Sequence, residues 1–394
     1  METVTFSAAT FSAAGALRAG ELSIAGVRGS PNTADCRGMI TPEAVGLMAQ
    51  QRQFVARAEA QAPFFVGLDL GGTNVKVGVV DDRGRPMSWH TIPTHTENGP
   101  EDGARRMGEA IHEAIRLAGL EPGDVARVGL GSPGTMDIPG GRLVKPANLP
   151  GWNYFPIRDR VAHYAGLPLT FANDASAAAY GEFWVGSGRD FQSMILLTLG
   201  TGVGCGIIVG GRPLHGEHSH GGEFGHSIID YHDDARVCGC GQRGHFEAYA
   251  SATAVARRTE EALAAGRASS LSQRVAAGAE LSALLVDEEA ERGDPLALEI
   301  VNETGKYLGV GIVNLMHSID PDGILLGGAM TFGGHASGLG AKFLARVKEE
   351  VRCRAYAFLV ERTVIDFAAL GGDAGFIGAA GMARREHRAE KGQS

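Results

Sequence analysis

Two glycine-rich turns, each flanked by two β-rich runs, constrain the fold of this 394-residue chain more than any other feature. Leu70–Thr73 joins the runs at about 64–70 and 74–81, and Leu199–Gly202 joins a second, similar pair. Glycine permits the tight backbone that such turns require. A hairpin that recurs, with helices after each copy, predicts an α/β protein of two related lobes that offer their glycine turns to a shared cleft.

The remaining periodicity predicts further strands and helices around these hairpins. Strands are expected at about 64–70, 74–81, 86–93, 125–131, 168–172, 193–199, 203–209, 323–326 and 362–367. Helices are expected at about 41–60, 100–118, 157–164, 175–185, 251–265, 270–290, 295–317, 342–354 and 373–385. We interpret residues 1–63 as a disordered N-terminal extension or the product of a misassigned start codon, and we expect the tail 386–394 to fray.

Composition argues against several classes of partner. The formal net charge of −9 disfavours nucleic acid and anionic membranes. The five unevenly spaced cysteines do not resemble a disulfide framework, which favours a reducing compartment, the cytoplasm. We expect no transmembrane helix, because no apolar run approaches ~18 residues. We also expect no secretory signal at the N-terminus.

The first glycine turn is a candidate phosphate site. Successive backbone N–H groups can form a concave anion site, to which Thr73 adds a hydroxyl donor. Asp69 suits Mg²⁺ through water, and Lys76 adds positive charge if it faces the cleft. An ordinary hairpin turn is the alternative, but the repeat at Gly200, Thr201 and Gly202 favours the phosphate interpretation. The candidate contacts in the first turn are Asp69, Gly71, Gly72, Thr73, Asn74 and Lys76.

Two common nucleotide motifs do not explain the chain. Residues 129–134 match the pattern GxGxxG, but Pro133 and the residues after it block the helix that a dinucleotide fingerprint needs. The pattern GxxxxGK[ST] does not occur in the sequence, which disfavours a Walker-type NTPase.

Asn173 and Asp174 lie where a strand is expected to end and a helix to begin. Asp174 is then either a helix N-cap or a general base for a substrate hydroxyl. A phosphoryl-transfer enzyme needs such a carboxylate beside an anion site and Mg²⁺. Both interpretations remain open at this point.

The loop Gly221–Ser251 concentrates side chains that bind metals. Two thiolates and two imidazoles at this spacing suit structural zinc, and Glu223 and Glu247 lie beside them in sequence, where they could hold a polar substrate. The candidate ligands are His226, Cys238, Cys240 and His245. The alternatives are a loop with three ligands or no metal, or a replacement for His245 from among His215, His218, His220 and His232.

Taken together, these residues resemble the ROK family (repressor, open reading frame, kinase) over about residues 64–386, and within it the bacterial glucokinases. DLGGTNVKVGVV and LGTGVGCGIIVGGRPLHG resemble the two phosphate motifs of actin-like ATPases. LLGGAM, with Gly327 and Gly328, resembles the adenosine-binding turn. PANLPGW, FANDASAAAYGE, GGEFGH and CGCGQRGHFEAYAS resemble the family's sugar and zinc motifs.

The resemblance implies two actin-like ATPase (ribonuclease H-like) lobes around a central cleft. The small lobe would comprise 64–174 plus 373–386, and the large lobe 175–372 with the zinc-binding loop 221–251. The implied reaction is ATP-dependent phosphorylation of the glucose 6-hydroxyl by a homodimer, with Mg²⁺ accompanying ATP and Zn²⁺ as a structural ion. Asp174 would be the catalytic base. The sugar contacts would be Asn173, Glu223, His226 and Glu247.

One residue departs from the family pattern. The family usually has a third cysteine where this chain has His245. With Zn²⁺, a Cys₂His₂ site is neutral, whereas a Cys₃His site carries one negative charge. The resemblance also leaves other functions open: a ROK kinase for fructose, allose or N-acetylmannosamine, a sugar-responsive transcriptional regulator, or a catalytically inactive sugar-binding protein.

Overall fold

The computed structural model describes residues 52–392. The first group of strands is β1 (Phe64–Leu70), β2 (Asn74–Val80), β3 (Pro86–Pro93), β4 (Val125–Ser132), β5 (Thr135–Asp137), β6 (Arg142–Lys145) and β7 (Leu169–Asn173). The second group is β8 (Met194–Leu199), β9 (Val203–Val209), β10 (Arg212–Pro213), β11 (Gly323–Gly328) and β12 (Val364–Phe367).

Two five-stranded sheets with the same plan organise this part of the chain. The first has the order β3-β2-β1-β4-β7 and the second β10-β9-β8-β11-β12. In each sheet the first two neighbouring pairs are antiparallel and the last two are parallel. The internal repeat predicted from the two glycine turns is therefore confirmed. The strands β5 and β6 form a separate antiparallel hairpin.

The central strands carry continuous hydrophobic runs because both of their faces are covered. In β1, every residue except Asp69 is buried, and in β8 every residue except Thr198. Two large clusters of buried side chains result, one around each sheet. The polar exceptions lie close to the glycine turns, at the ends of the strands.

Helices surround and connect the sheets. They are α1 (Pro100–Leu117), α2 (Ile157–Ala165), α3 (Asp174–Val185), α4 (Glu247–Ala250), α5 (Ala252–Ala264), α6 (Ser270–Ala276), α7 (Ala283–Glu291), α8 (Pro295–Ile319), α9 (Gly338–Arg354), α10 (Ala357–Val360) and α11 (Ala374–Glu390). The sequence predicts most of these bounds within a few residues. None of the described helices is both long enough and apolar enough to cross a membrane.

The helices α3 and α11 pack against each other at the junction of the two sheets. Their backbones touch at Gly181 and Gly378, where an added Cβ would overlap the carbonyl oxygens of Ala374 and Ala177. Glycine is required here for the close approach of two helices. This contact brings the first residue of α3, Asp174, into a fixed relation with both sheets.

Some of the expected elements are wrong. The helix expected at 270–290 is two helices, α6 and α7, separated around Gly278, which has a positive φ of 96°. The stretch after Ser132, where no strand or helix is expected before residue 157, contains the hairpin β5–β6. The last helix does not fray at 386, because Glu386 and Glu390 pair with the buried guanidinium of Arg127.

The N-terminal segment is ordered from an earlier point than expected. The compact unit begins at Gln53, and Val55 N–H donates to the Pro86 carbonyl at 2.8 Å. The described part of the helix expected at 41–60 is not helical. Residues 1–51 of the expected extension lie outside the described residues.

Candidate active site

A cavity of about 790 Å³ gathers the ends of several strands and the loop 221–251. Strand β7 ends there, and so does the turn between β8 and β9. The cavity brings together many residues that the sequence singles out. They are Asn173, Asp174, Gly200, Thr201, Gly202, Glu223, His226, Cys240, Glu247 and Gly328.

Asp174 is the first residue of α3, but it is not the N-cap of that helix. Asn173 is the N-cap, because its side-chain oxygen accepts from the Ser176 N–H at 3.0 Å. The Asp174 Oδ1 accepts from Ala175 N–H at 2.8 Å and from the Asn173 amide at 3.1 Å. Its carboxylate is thereby oriented in the cavity without capping the helix itself.

Burial raises the pKa of Asp174 to about 6, and the negative charges of Asp69 and Glu223 add to the effect. A carboxyl group with a pKa near neutrality is suited to proton transfer, because it is ionised at pH 7 yet basic enough to accept a proton. Perturbed carboxyl groups of this kind cluster at functional sites.

The two ring nitrogens of His226 lie near two different side chains. Its Nδ1 lies 3.7 Å from the Cys238 Sγ, and its Nε2 lies 3.9 Å from Glu223 Oε2. Glu247 extends between the loop and the second glycine turn: its Oε1 accepts from the Cys238 thiol at 2.9 Å and its Oε2 from Val203 N–H at 3.4 Å. The ring therefore connects the cysteine cluster with the carboxylates of the cavity.

The four candidate metal ligands converge. One ligand atom from each of His226, Cys238, Cys240 and His245 lies within 4.8 Å of all the others. The distance from the Cys240 Sγ to His245 Nδ1 is 3.3 Å. Tetrahedral zinc, with bonds of ~2.3 Å to sulfur and ~2.0–2.1 Å to nitrogen, separates its ligand atoms by about 3.3–3.8 Å. The types of donor therefore fit zinc, and so do this 3.3 Å separation and the 3.7 Å between His226 Nδ1 and the Cys238 Sγ.

The backbone of the loop explains why His245 reaches this cluster. Val237 pairs with Arg243, and Ile228 pairs with His245, as isolated antiparallel bridges. Cys238 N–H donates to the Gln242 carbonyl at 2.8 Å, which closes the turn that carries Cys240. Among the described residues, the other histidines considered as replacements do not join the cluster.

The first glycine turn lies at the edge of this site. Lys76 Nζ is 3.4 Å from Asp69 Oδ2 and donates to the Gly372 carbonyl at 2.9 Å. A Cβ at Gly72 would lie 3.0 Å from the Asn148 carbonyl oxygen, so this turn packs against the segment that carries PANLPGW. The residues of the first turn, and Gly327, do not line the cavity itself.

Some cavity residues are absent from the set predicted from the sequence. Lys145, Asn148, Thr253 and Arg257 all line the cavity. The motif PANLPGW contains Asn148 and is the signal that could have identified it. Thr253 and Arg257 lie one turn apart on α5 and carry no motif of their own. Only the folded chain places them here.

Comparison with known proteins identifies the family of the chain. The model of the family described as "ROK family" matches residues 65–386. A glucokinase of Halalkalibacterium halodurans is 32% identical over 330 residues, which cover 84% of this chain and 98% of that protein.

Two solved structures share the fold. The ROK hexokinase of Thermus thermophilus has a TM-score of 0.70 and 33% identity, with 83% of this chain and 99% of that chain covered. A ROK family glucokinase of Streptomyces griseus, in complex with glucose and AMPPNP, has a TM-score of 0.65 and 31% identity, with 82% and 99% covered. The two expected actin-like lobes are thus confirmed as the fold class, and the chain belongs to the ROK family.

Proposed function

We propose that this protein is a glucokinase, which transfers the γ-phosphoryl group of ATP to the 6-hydroxyl of glucose. The observation that carries the proposal is the position of Asp174, whose raised pKa and orientation suit a general base. The side chains around it are rich in hydrogen-bonding groups for a polyol. The similarity to proteins named glucokinase supports the choice of sugar.

Asp174 accepts the proton of the sugar 6-hydroxyl while that oxygen attacks the γ-phosphorus and the bond to the β-phosphate oxygen of ADP breaks. Its ionised form predominates at pH 7. The sugar hydroxyls are held by Asn173, Glu223, His226 and Glu247. Closure of the two lobes excludes water, which would otherwise compete as the phosphoryl acceptor.

The two glycine turns hold the nucleotide in this proposal. Gly200, Thr201 and Gly202 line the cavity and contact phosphate oxygens through backbone N–H groups and a hydroxyl. Asp69, Gly71, Gly72, Thr73, Asn74 and Lys76 complete the phosphate site from the other lobe, and Gly327 and Gly328 contact adenosine. Mg²⁺, when bound with ATP, neutralises phosphate charge, and Asp69 would hold it through water.

Zinc has a structural role in this proposal. The four residues His226, Cys238, Cys240 and His245 would hold it, and the ion would deprotonate the thiols and order the loop. Burial raises the pKa of the Cys238 thiol to about 12, so without a cation it stays protonated and donates to Glu247. With Nδ1 on the metal side, His226 keeps Nε2 for the sugar.

The two sheets support the proposed division into a small lobe (64–174 plus 373–386) and a large lobe (175–372). We also propose a homodimer in the cytoplasm, as the family resemblance implies. Size-exclusion chromatography with light scattering tests the dimer: a mass near twice the 41.2 kDa of one chain is expected, and a mass near 41.2 kDa would contradict it.

A coupled assay of ADP release tests the activity. With ATP as donor, kcat/KM is measured for glucose, fructose, allose and N-acetylmannosamine, with and without a zinc chelator. Glucose is expected to be the preferred sugar. A tenfold preference for another hexose would replace glucose as the substrate, and phosphorylation of none of them would refute the kinase assignment.

A further inference from the structure

Glu182 is a fully buried carboxylate for which the proposed chemistry has no use. It lies in the last turns of α3 and has 0% exposure. No lysine, arginine or histidine of the described residues forms an ion pair with it. Burying an unpaired charge is costly unless hydrogen bonds replace its water. Its partners should therefore show why it is there.

Three backbone N–H groups donate to this carboxylate. Ser187 and Ala369 donate to Oε2 at 2.9 and 3.2 Å, and Leu370 donates to Oε1 at 2.7 Å. The Ser187 hydroxyl adds a bond to the Phe367 carbonyl at 3.3 Å. The end of α3 is thus attached to residues 367–370 by three hydrogen bonds, two of which are accepted by Glu182.

These two segments are the places where the described backbone passes between the sheets. The first passage runs from β7 in the first sheet through α3 to β8 in the second. The second runs from β12 in the second sheet through residues 368–373 to α11, which packs on β1 and β4 of the first. If the two sheets rotate relative to each other, the chain must bend at these two passages. Glu182 links the two passages by hydrogen bonds.

We propose that Glu182 is a positioning residue that fixes the hinge between the two lobes and, through α3, the direction of the Asp174 carboxylate. This inference rests on the proposed function, because it gives Asp174 the role of base. Glu182 itself does not touch the substrate.

The geometry of α3 gives the size of the effect. Asp174 and Glu182 are eight residues apart, a rise of about 12 Å along the helix. A tilt of about 5° at the Glu182 end would move Asp174 by about 1 Å. Misplacement by about 1 Å can reduce a rate ~100-fold. Loss of the Glu182 attachment should therefore reduce kcat by about ten- to hundredfold.

The variant E182Q tests this with little change in volume. In glutamine an amide nitrogen replaces one carboxylate oxygen, and this nitrogen cannot accept a hydrogen bond. Either the Leu370 N–H or the N–H groups of Ser187 and Ala369 therefore lose their acceptor. The matched control is D294N. Asp294 is also a buried carboxylate that accepts two backbone N–H groups, from Ala297 and Ser270 at 2.9 and 2.7 Å, but it lies outside the cavity.

Two measurements are made on the full chain. The first is kcat and KM for glucose, which are expected to change together in E182Q, as hinge variants do, and to stay within twofold of wild type in D294N. The second is amide hydrogen exchange, which is expected to accelerate at Ser187, Ala369 and Leu370 in E182Q only. Equal kcat in E182Q and D294N would overturn the inference.

Two further outcomes are decisive. If E182Q does not fold, S187A removes only the hydroxyl bond to Phe367, and a kcat at least twofold lower is expected; an unchanged kcat would overturn the inference. If wild type phosphorylates no hexose, the proposed function fails. The exchange comparison then decides the hinge by itself, since equal exchange in E182Q and D294N would refute it.

Discussion

Replacing Asp174 with asparagine should remove catalysis and stabilise the fold at the same time. Asparagine keeps a side-chain oxygen that can accept from Ala175 N–H and the Asn173 amide, so both hydrogen bonds survive. What is lost is the negative charge and the ability to take a proton. A general base contributes ~10²–10⁴-fold to a rate. We therefore expect kcat to fall by at least a hundredfold while sugar binding changes little.

The raised pKa sets the magnitude of the stabilisation. A shift from 3.8 to about 6 corresponds to about 3 kcal/mol of unfavourable free energy for the charged form at pH 7. Solvent screening at the partly exposed carboxyl reduces this, so we expect D174N to be more stable by about 1–3 kcal/mol.

The pH dependence follows from the same shift. The folded state binds the Asp174 proton more tightly than the unfolded chain does. The contribution of this group to stability is therefore greatest below pH 3.8 and is lost as the pH rises through 6. Accordingly, D174N should exceed wild type in stability at pH 7 and match it near pH 3.8. The kcat/KM of wild type should be about tenfold lower at pH 5 than at pH 7.

The assays are coupled kinase kinetics from pH 5 to 8 and denaturant unfolding from pH 4 to 8. The control is D159N, since the Asp159 side chain is 62% exposed and lies on α2, outside the cavity. This control should leave kcat unchanged and produce no comparable gain in stability. A D174N variant that keeps a tenth of the wild-type kcat would refute the assignment of the base.

Two other predictions concern the loop and the helix crossing. H245A should lower zinc affinity by more than the ~10–100-fold that loss of an outer-shell partner costs, and it should raise the KM for glucose, whereas H245C should retain zinc. Both are checked by metal titration and kinetics, and unchanged zinc binding in H245A would exclude His245 as a ligand. G378A should destabilise the protein by about 1–3 kcal/mol or more, because the new methyl group would overlap the Ala177 carbonyl oxygen. Its control, G123A, adds a methyl group with no atom within 4 Å, and equal stability of the two variants would contradict the packing argument.

The candidate site could be predicted where a short motif carries its chemistry. Asp174, Glu223, His226 and the second glycine turn all lie in local patterns, and the fold brings them to one cavity. Arg257 and Lys145 could not be identified in this way, because each is a common surface residue whose position depends on how distant segments pack. The break between α6 and α7 and the hairpin β5–β6 were missed for a similar reason, since short elements have weak periodicity.

By itself, the sequence determined the repeated hairpin, the buried strands and the types of side chain available for chemistry. These depend on local patterns of hydrophobic residues, glycine and motif spacing, which can be recognised in the sequence before the fold is known. Only the tertiary structure decided that Asn173 rather than Asp174 caps α3 and that His245 reaches the cysteines. It also decided that Glu182 links the two segments of chain that pass between the sheets. Each of these depends on atoms brought together from separate segments, and the burial that raises the pKa of Asp174 exists only once both sheets have assembled.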